Sequence, residues 1–194
     1  MKKLIVFGGL FVVLSLPLSA QGLYIDLGFG LGKGWTKLDG NDAMDIVDSP
    51  NGSSDFALDL GLKGGWGPFG SIPLYAVLEF EMMGHRVQNV DNYVQFNSYM
   101  IGPGVLFYPV PLIQLGLSLG YSWTGNNTDF SWDVYNSSAG FAWDVSAAFD
   151  LGGKNHACLL GVRYFNAIFV DENTAILSFF IKYAFRKKAP SLFK

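Results

Sequence analysis

Residues 112–123 alternate between large apolar and small polar side chains with a period of two. The odd-numbered positions 113–123 are Ile, Leu, Leu, Leu, Tyr and Trp, whereas the even-numbered positions 114–122 are Gln, Gly or Ser. Successive side chains of a strand point to opposite faces, so this segment predicts a β-strand with one apolar and one small, polar face. Large apolar groups outward and small polar groups inward are typical of a narrow β-barrel in lipid.

Seven further segments repeat this alternation and predict seven more strands. They are residues 23–31, 56–62, 75–82, 94–107, 141–151, 156–169 and 175–185. The segment 156–169 is apolar on both faces; we turn Arg163 inward because a lipid-facing arginine at mid-depth would cost about 2–4 kcal/mol. Compact turns are predicted at 67–73, 108–111 and 152–155, and they alternate with polar stretches at 36–55, 84–93 and 124–138 and a short link at 170–174. The pattern predicts an all-β fold, an eight-stranded antiparallel up-and-down transmembrane β-barrel.

The first 20 residues have the pattern of an export signal. Lys2 and Lys3 precede an apolar run over 4–16, and Pro17 and Ala20 supply a helix break and a small residue at the expected cleavage point. The run is shorter than the roughly 20 residues that a transmembrane helix needs. We therefore predict a signal peptide at 1–20, the barrel at 21–186 and a basic periplasmic tail at 187–194, with the basic run 186–188 directly after the last strand.

Composition narrows the class further. Half of the 194 residues are hydrophobic and only 15% are charged, which is typical of a closed barrel in a membrane. Without Lys2 and Lys3 the chain has 11 basic and 16 acidic residues, a balance that argues against nucleic acid as a partner. Cys158 is the single cysteine, so no internal disulfide can form, and no cofactor is expected.

Charged residues fall on the predicted inward faces. The interior of an eight-stranded barrel is barely wider than its own side chains, so these charges are expected to pair and fill the barrel, with ion or solute passage as the alternative. The predicted lumen network comprises Asp26, Asp59, Glu79, Glu81, Asp144, Asp150, Arg163 and Lys182, with Lys63 as a further candidate. The predicted apolar part of the lumen comprises Leu159, Phe165, Phe169 and Phe180.

Aromatic residues predict two belts at the membrane interfaces. With both termini in the periplasm, the outer belt would contain Trp35, Tyr121, Trp123 and Trp143. The inner belt would contain Trp66, Tyr75, Tyr108, Tyr183 and Phe185.

Catalytic and metal-binding patterns are weak. His85 is expected where the third strand enters an external loop, and His156 at a periplasmic turn; we interpret His85 as an exposed loop residue. The acidic residues Asp39, Asp42, Asp45, Asp48 and Asp55 lack the ligand spacing of an EF-hand, so a solvated loop is expected rather than a calcium site. We predict neither a catalytic nor a metal site.

The export signal, the eight alternating segments and a final strand ending in Tyr183, Ala184 and Phe185 resemble small bacterial outer-membrane barrels of the OmpW/OprG and OmpX/OmpA-barrel groups. The resemblance implies that Phe185 belongs to the signal read by the barrel-assembly machinery, although this chain continues to Lys194. OmpW-like members are implicated in passage of small hydrophobic molecules to a lateral exit, and OmpX-like members act through surface strands and loops.

Three functional hypotheses follow for a barrel in the bacterial outer membrane. The first is a narrow passive channel for small hydrophobic solutes. The second is a plugged structural or adhesive barrel that acts through its external loops on a host surface ligand. The third, least favoured, is a lipid-modifying enzyme that uses His85. Outer-membrane lipid is an expected partner in each case.

Overall fold

The structure, a computed structural model, describes residues 20–47, 53–69, 71–89, 92–125, 127–128, 139–153 and 155–187. Most of the predicted signal peptide and tail lie outside these residues. The elements are β1 (Ala20–Leu38), β2 (Asn41–Asp42), α1 (Ala43–Ile46), β3 (Ser54–Phe69), β4 (Leu74–Gln88), β5 (Tyr93–Val110), β6 (Ile113–Thr124), β7 (Asn127–Thr128), β8 (Gly140–Asp150), β9 (His156–Ile168) and β10 (Glu172–Arg186). Among the described residues, no helix is long and apolar enough to cross a membrane.

Eight long strands form one closed antiparallel sheet, as predicted. The strands β1, β3, β4, β5, β6, β8, β9 and β10 pair in that order, and β10 pairs back onto β1. Gly34 of β1 is paired with β10, and the paired residues can be followed from there through all the other barrel strands. This path returns to β1 at Tyr24, so the strands are staggered by ten residues around the barrel. Such a stagger inclines the strands by roughly 35–45° to the barrel axis. Closure satisfies the backbone of every strand without a free edge.

The two ends of the barrel differ. At the terminal end, where β1 begins and β10 ends, the turns between strands are short; β5 and β6, for example, are separated by 111–112. At the opposite end, the loop end, β2 and α1 lie between β1 and β3. Asp39 and Gly40 form the two-residue turn from β1 to β2, with φ of 50° and 82°, conformations that Asp and Gly tolerate.

The predicted polar stretch at 84–93 is not a long loop. β4 continues to Gln88 and β5 begins at Tyr93, so the connection is only 89–92. β1 likewise extends to Leu38, which shortens the first loop. Polar side chains at the ends of the strands concealed these extensions from a search for apolar alternation.

The outward face is apolar along all eight barrel strands, as the alternation predicts. Leu27 on β1 is 62% exposed and Phe179 on β10 is 72% exposed, although both lie in the middle of their strands. Exposing so many apolar side chains to water would cost free energy, whereas the hydrocarbon of a bilayer solvates them. The outer surface is therefore the surface of a membrane-spanning barrel.

Glycines on the inward face provide space for larger side chains on neighbouring strands. A Cβ atom at Gly30 would lie 2.5 Å from an oxygen of the Asp59 carboxylate, and one at Gly61 would lie 2.5 Å from an oxygen of the Glu81 carboxylate. A larger residue at either position would therefore require the neighbouring carboxylate to move.

Two tyrosines assigned to the inner aromatic belt do not lie there. Tyr75 and Tyr108 are fully buried and point into the barrel, where Tyr75 packs against Tyr24 and Tyr108. Both positions share strand parity with inward residues, Tyr75 with Glu79 and Tyr108 with Leu106. Trp66 and Tyr183 do face outward, and both are exposed.

Candidate functional site

A belt of charged side chains fills the middle of the barrel. We call it the ionic belt; its members come from β1, β3, β4, β8, β9 and β10, and each is at most 2% exposed. Every predicted member of the lumen network except Asp150 belongs to it, as does Lys63. The ionic belt consists of Asp26, Asp59, Lys63, Glu79, Glu81, Asp144, Arg163 and Lys182.

Arg163 on β9 lies at the centre of the ionic belt. Its guanidinium pairs directly with the Glu81 carboxylate of β4. It also lies 3.7 Å from carboxylate oxygens of Asp59 and Glu79 and 4.0 Å from Asp144. One side chain therefore connects β9 to β3, β4 and β8 across the lumen.

The two lysines of the ionic belt also contact its carboxylates, and two serines outside it donate hydrogen bonds to them. Lys63 Nζ donates a 2.7 Å hydrogen bond to Glu79, and Lys182 Nζ lies 3.9 Å from Asp26. The hydroxyls of Ser118 and Ser178 donate to Glu79 and Asp59, respectively. Serine is small enough to fit beside these carboxylates, which explains why the inward face of the strand 113–124 carries small polar residues.

The ionic belt closes the lumen. Side chains that are at most 2% exposed leave no room beside them for a water-filled path along the axis. Removing one partner from a buried ion pair leaves an uncompensated charge, so the members depend on one another. In this structure the ionic belt is a partition across the lumen rather than the wall of an open pore.

The terminal side of the ionic belt is closed by a layer of tyrosines and one more ion pair. Gln114 Nε2 donates to the hydroxyls of Tyr24 (2.9 Å) and Tyr108 (2.6 Å). Asp150 pairs with Arg186, whose guanidinium also donates to Tyr108 at 3.2 Å. These contacts satisfy polar groups that would be costly to bury alone.

The placement of Arg186 corrects the prediction that the whole basic run 186–188 follows the last strand. Arg186 is the last residue of β10, is 3% exposed and points into the barrel, like Lys182 four residues earlier. Lys187 follows the strand and is exposed. Residues 188–194 lie outside the described part of the chain.

The loop side of the interior contains an apolar cluster. Met83, Met100, Phe165 and Ile176 are fully buried there, with Phe169 nearby. Nearest the loop end, Ala43 of α1 and Val47 pack onto Val87, Val94 and Phe96 and form a cap over the barrel. The part of the first loop over 39–47 thus folds inward over the barrel mouth.

His85 is a buried residue of β4 and not an exposed loop residue, so our interpretation of it was wrong. Its ring is 1% exposed, and Nδ1 lies 2.8 Å from the Thr36 hydroxyl. Thr36 in turn lies 3.0 Å from Thr174, and Nε2 of His85 lies 3.6 Å from Asp55. Asp55 is therefore a residue of β3 facing the interior rather than part of a solvated acidic loop.

The predicted apolar lumen residues all lie inside the barrel but divide between the two sides of the ionic belt. Leu159 and Phe180 belong to the terminal-side cluster. Phe165 and Phe169 belong to the loop-side cluster.

Phe185 lies near the end of β10, with its ring 5.4 Å from that of His156, and its role in assembly remains a prediction. Among the described residues, no group of three or more His, Cys, Asp or Glu side chains could hold a metal ion.

The closed sheet, the apolar outer surface and the filled interior define a class: the small eight-stranded transmembrane β-barrel. No protein-family profile matches the sequence, and no curated protein does.

Solved structures do share the fold. Ail, the attachment invasion locus protein of Yersinia pestis, in complex with the heparin analogue sucrose octasulfate, is 13% identical and has a TM-score of 0.55, over 84% of this chain and 99% of Ail. A second structure of Ail gives a TM-score of 0.53 at 13% identity, over 84% of this chain and 98% of Ail. The outer membrane protein OprG from Pseudomonas aeruginosa is 13% identical with a TM-score of 0.43, over 88% of this chain and 98% of OprG. The chain therefore has the fold of small bacterial outer-membrane barrels, as expected from the sequence.

Proposed function

We propose that this integral outer-membrane barrel is a plugged surface protein that acts through its loop end and does not conduct solutes. The observation that carries the proposal is the ionic belt, in which Arg163 and its carboxylate partners are fully buried across the whole lumen. A barrel with such a partition has only its two ends and its outer surface available for function. Both termini lie in the periplasm in this proposal, so the loop end faces outward.

The partner proposed for the loop end is a ligand on another cell surface. The similar barrel Ail carries a name that describes attachment and invasion, and one of its structures contains a heparin analogue. At 13% identity the similarity to Ail shows a shared fold only, so the nature of the ligand rests on the proposal alone.

Passage of small hydrophobic molecules remains a second candidate because the loop-side half of the interior contains an apolar cluster. Met83 and Met100 line it, and methionine adapts its shape to irregular apolar partners. A solute could not continue past the ionic belt and would have to leave sideways between strands. This candidate requires the cap formed by Ala43 and Val47 to open first.

We also propose that the chain acts without catalysis. Thr36, His85 and Asp55 form an ordered polar chain, but Thr36 and His85 are at most 1% exposed and cannot be reached by a lipid ester from the outer surface. Phospholipid hydrolysis by the purified protein that disappears in His85→Ala would contradict this part of the proposal.

A flux measurement tests the proposal against the second candidate. Proteoliposomes containing the full-length barrel should take up small sugars and small aromatic solutes no faster than protein-free liposomes. The matched variant is Met83→Ala with Met100→Ala, which enlarges the loop-side interior but leaves the ionic belt intact. Uptake of aromatic solutes by the wild type would overturn the proposal, and a further change in that uptake in the variant would identify the loop-side interior as the route.

A further inference from the structure

The charged side chains on the outward face of the barrel strands are basic and lie near the loop end. Among the described residues of the eight barrel strands, the outward-facing charged side chains other than His156 are Lys33, Lys37 and Arg86, all near the loop end. The carboxylates of the same strands point inward, and all of them except the half-buried Asp55 are buried. The chain as a whole has a net charge of −3, so a purely basic outer rim does not simply follow from composition.

Lys33 and Arg86 belong to one row across three strands. Gly32 pairs with Ala57, which places Lys33 beside Phe56, and Phe56 pairs with Arg86. Lys33 is 62% exposed even though it contacts Asp55 at 3.7 Å. The Arg86 guanidinium lies 4.0 Å over the Tyr93 ring, and its buried Nε has no hydrogen-bond partner among the described residues.

The neighbouring outward surface is a stack of aromatic rings at the same end. Trp123 of β6 stacks on Tyr99 of β5, with ring centroids 5.5 Å apart and planes at 13°. Tyr121 lies 6.0 Å from Trp123 and is 55% exposed. Trp and Tyr side chains at this position mark the level of lipid headgroups.

Cations at headgroup level attract phosphate, and exposed aromatic faces pack against the apolar faces of sugar rings. Long basic side chains also extend from an apolar surface to reach headgroup anions. We infer that the loop-end rim from β1 to β6 binds a phosphorylated glycolipid of the surrounding leaflet, with Lys33 and Arg86 on its phosphate and the Trp123–Tyr99 stack against its sugars. The inference rests on the proposed orientation, in which the loop end faces the outer leaflet.

The test uses the full-length barrel in nanodiscs of neutral phospholipid to which a diphosphorylated glycolipid is added in increasing mole fraction. Binding is followed as the rise in the thermal unfolding midpoint relative to the same variant without glycolipid. The double variant Lys33→Ala with Arg86→Ala should need a roughly 30-fold higher mole fraction for half of the full rise. The control Lys187→Ala removes an exposed cation at the terminal end and should leave the titration unchanged.

Three comparisons make the test decisive. The dephosphorylated glycolipid should give a smaller rise than the phosphorylated one, and Trp123→Leu should weaken the response to both. An unchanged titration in the double variant would overturn the inference, and so would an equal rise with an anionic phospholipid that has no sugar. Since every rise is referred to the variant's own baseline, altered stability of a variant does not obscure the result. Solute flux through the wild type would overturn the proposed function without changing this titration.

Discussion

Replacing Arg163 by Met is expected to lower the free energy of unfolding by about 3–5 kcal/mol. Arg163 is fully buried and pairs with Glu81, while Asp59 and Glu79 lie 3.7 Å away. Methionine fills much of the same volume but leaves these carboxylates without their shared cation. The loss should appear in urea unfolding of the protein reconstituted in lipid vesicles, followed by tryptophan fluorescence.

The control for this prediction is Lys33→Met, which removes a cation whose side chain is 62% exposed. Exposed ion pairs contribute about 0–1 kcal/mol, so this variant should unfold close to the wild type. Adding Glu81→Gln to Arg163→Met should recover part of the loss, because it removes one of the unpaired charges. A cost below about 1 kcal/mol for Arg163→Met would mean that the ionic belt is hydrated rather than sealed.

Replacing Phe179 by Arg is expected to cost about 2–4 kcal/mol because it places a charge in the hydrocarbon. Phe179 is 72% exposed, and it lies between Leu31 of β1 and Val162 of β9 in the middle of the barrel wall. The same vesicle unfolding measurement gives the change in free energy. In water, by contrast, arginine at so exposed a position would be nearly neutral.

The matched control uses depth. Leu151 is 62% exposed but lies just beyond the end of β8 at the terminal end, where an arginine can reach the headgroups. Leu151→Arg should therefore cost only about 0–1 kcal/mol. Equal costs at the two positions would contradict the assignment of the outward face to lipid.

The wall of the barrel could be predicted from the sequence because apolar and polar side chains alternate along each strand and so distinguish its outward face from its inward face. Trp143 and Val145 face outward while Asp144 is buried inside, and this alternation is legible without any knowledge of the neighbouring strands. The same holds for Arg163 once the cost of charge in lipid is considered. Local periodicity and one energetic rule were enough for the fold and for the inward direction of the side chains in the ionic belt.

Contacts across the lumen could not be predicted in this way. Arg163 and Glu81 lie on β9 and β4, which are not neighbours in the sheet, and they meet because of how the barrel closes and staggers. The separation of Asp150 from the ionic belt, through its pair with Arg186, depends on the same geometry. The spacing of residues along the sequence does not indicate the stagger between the strands.

The errors at the strand ends have one cause. His85 continues the inward series of Glu81 and Met83, and Arg186 continues that of Lys182 and Ala184. Both were assigned to polar connections because their side chains resemble those of loops and tails. Extending the parity by one to three residues beyond the apolar segments would have found both, since burial in this barrel follows parity and not polarity.

The most direct test of the sealed lumen is the reaction of a cysteine placed inside the ionic belt with a water-soluble thiol reagent. Ser118→Cys, in a Cys158→Ser background, puts a thiol of nearly the same size at a position that is 1% exposed and contacts Glu79. We predict that this thiol stays unmodified in the folded, membrane-inserted barrel and reacts only after unfolding, whereas Ser54→Cys at the exposed loop end reacts at once. Modification of folded Ser118→Cys at the rate of the Ser54→Cys control would show a water-filled lumen and contradict the account.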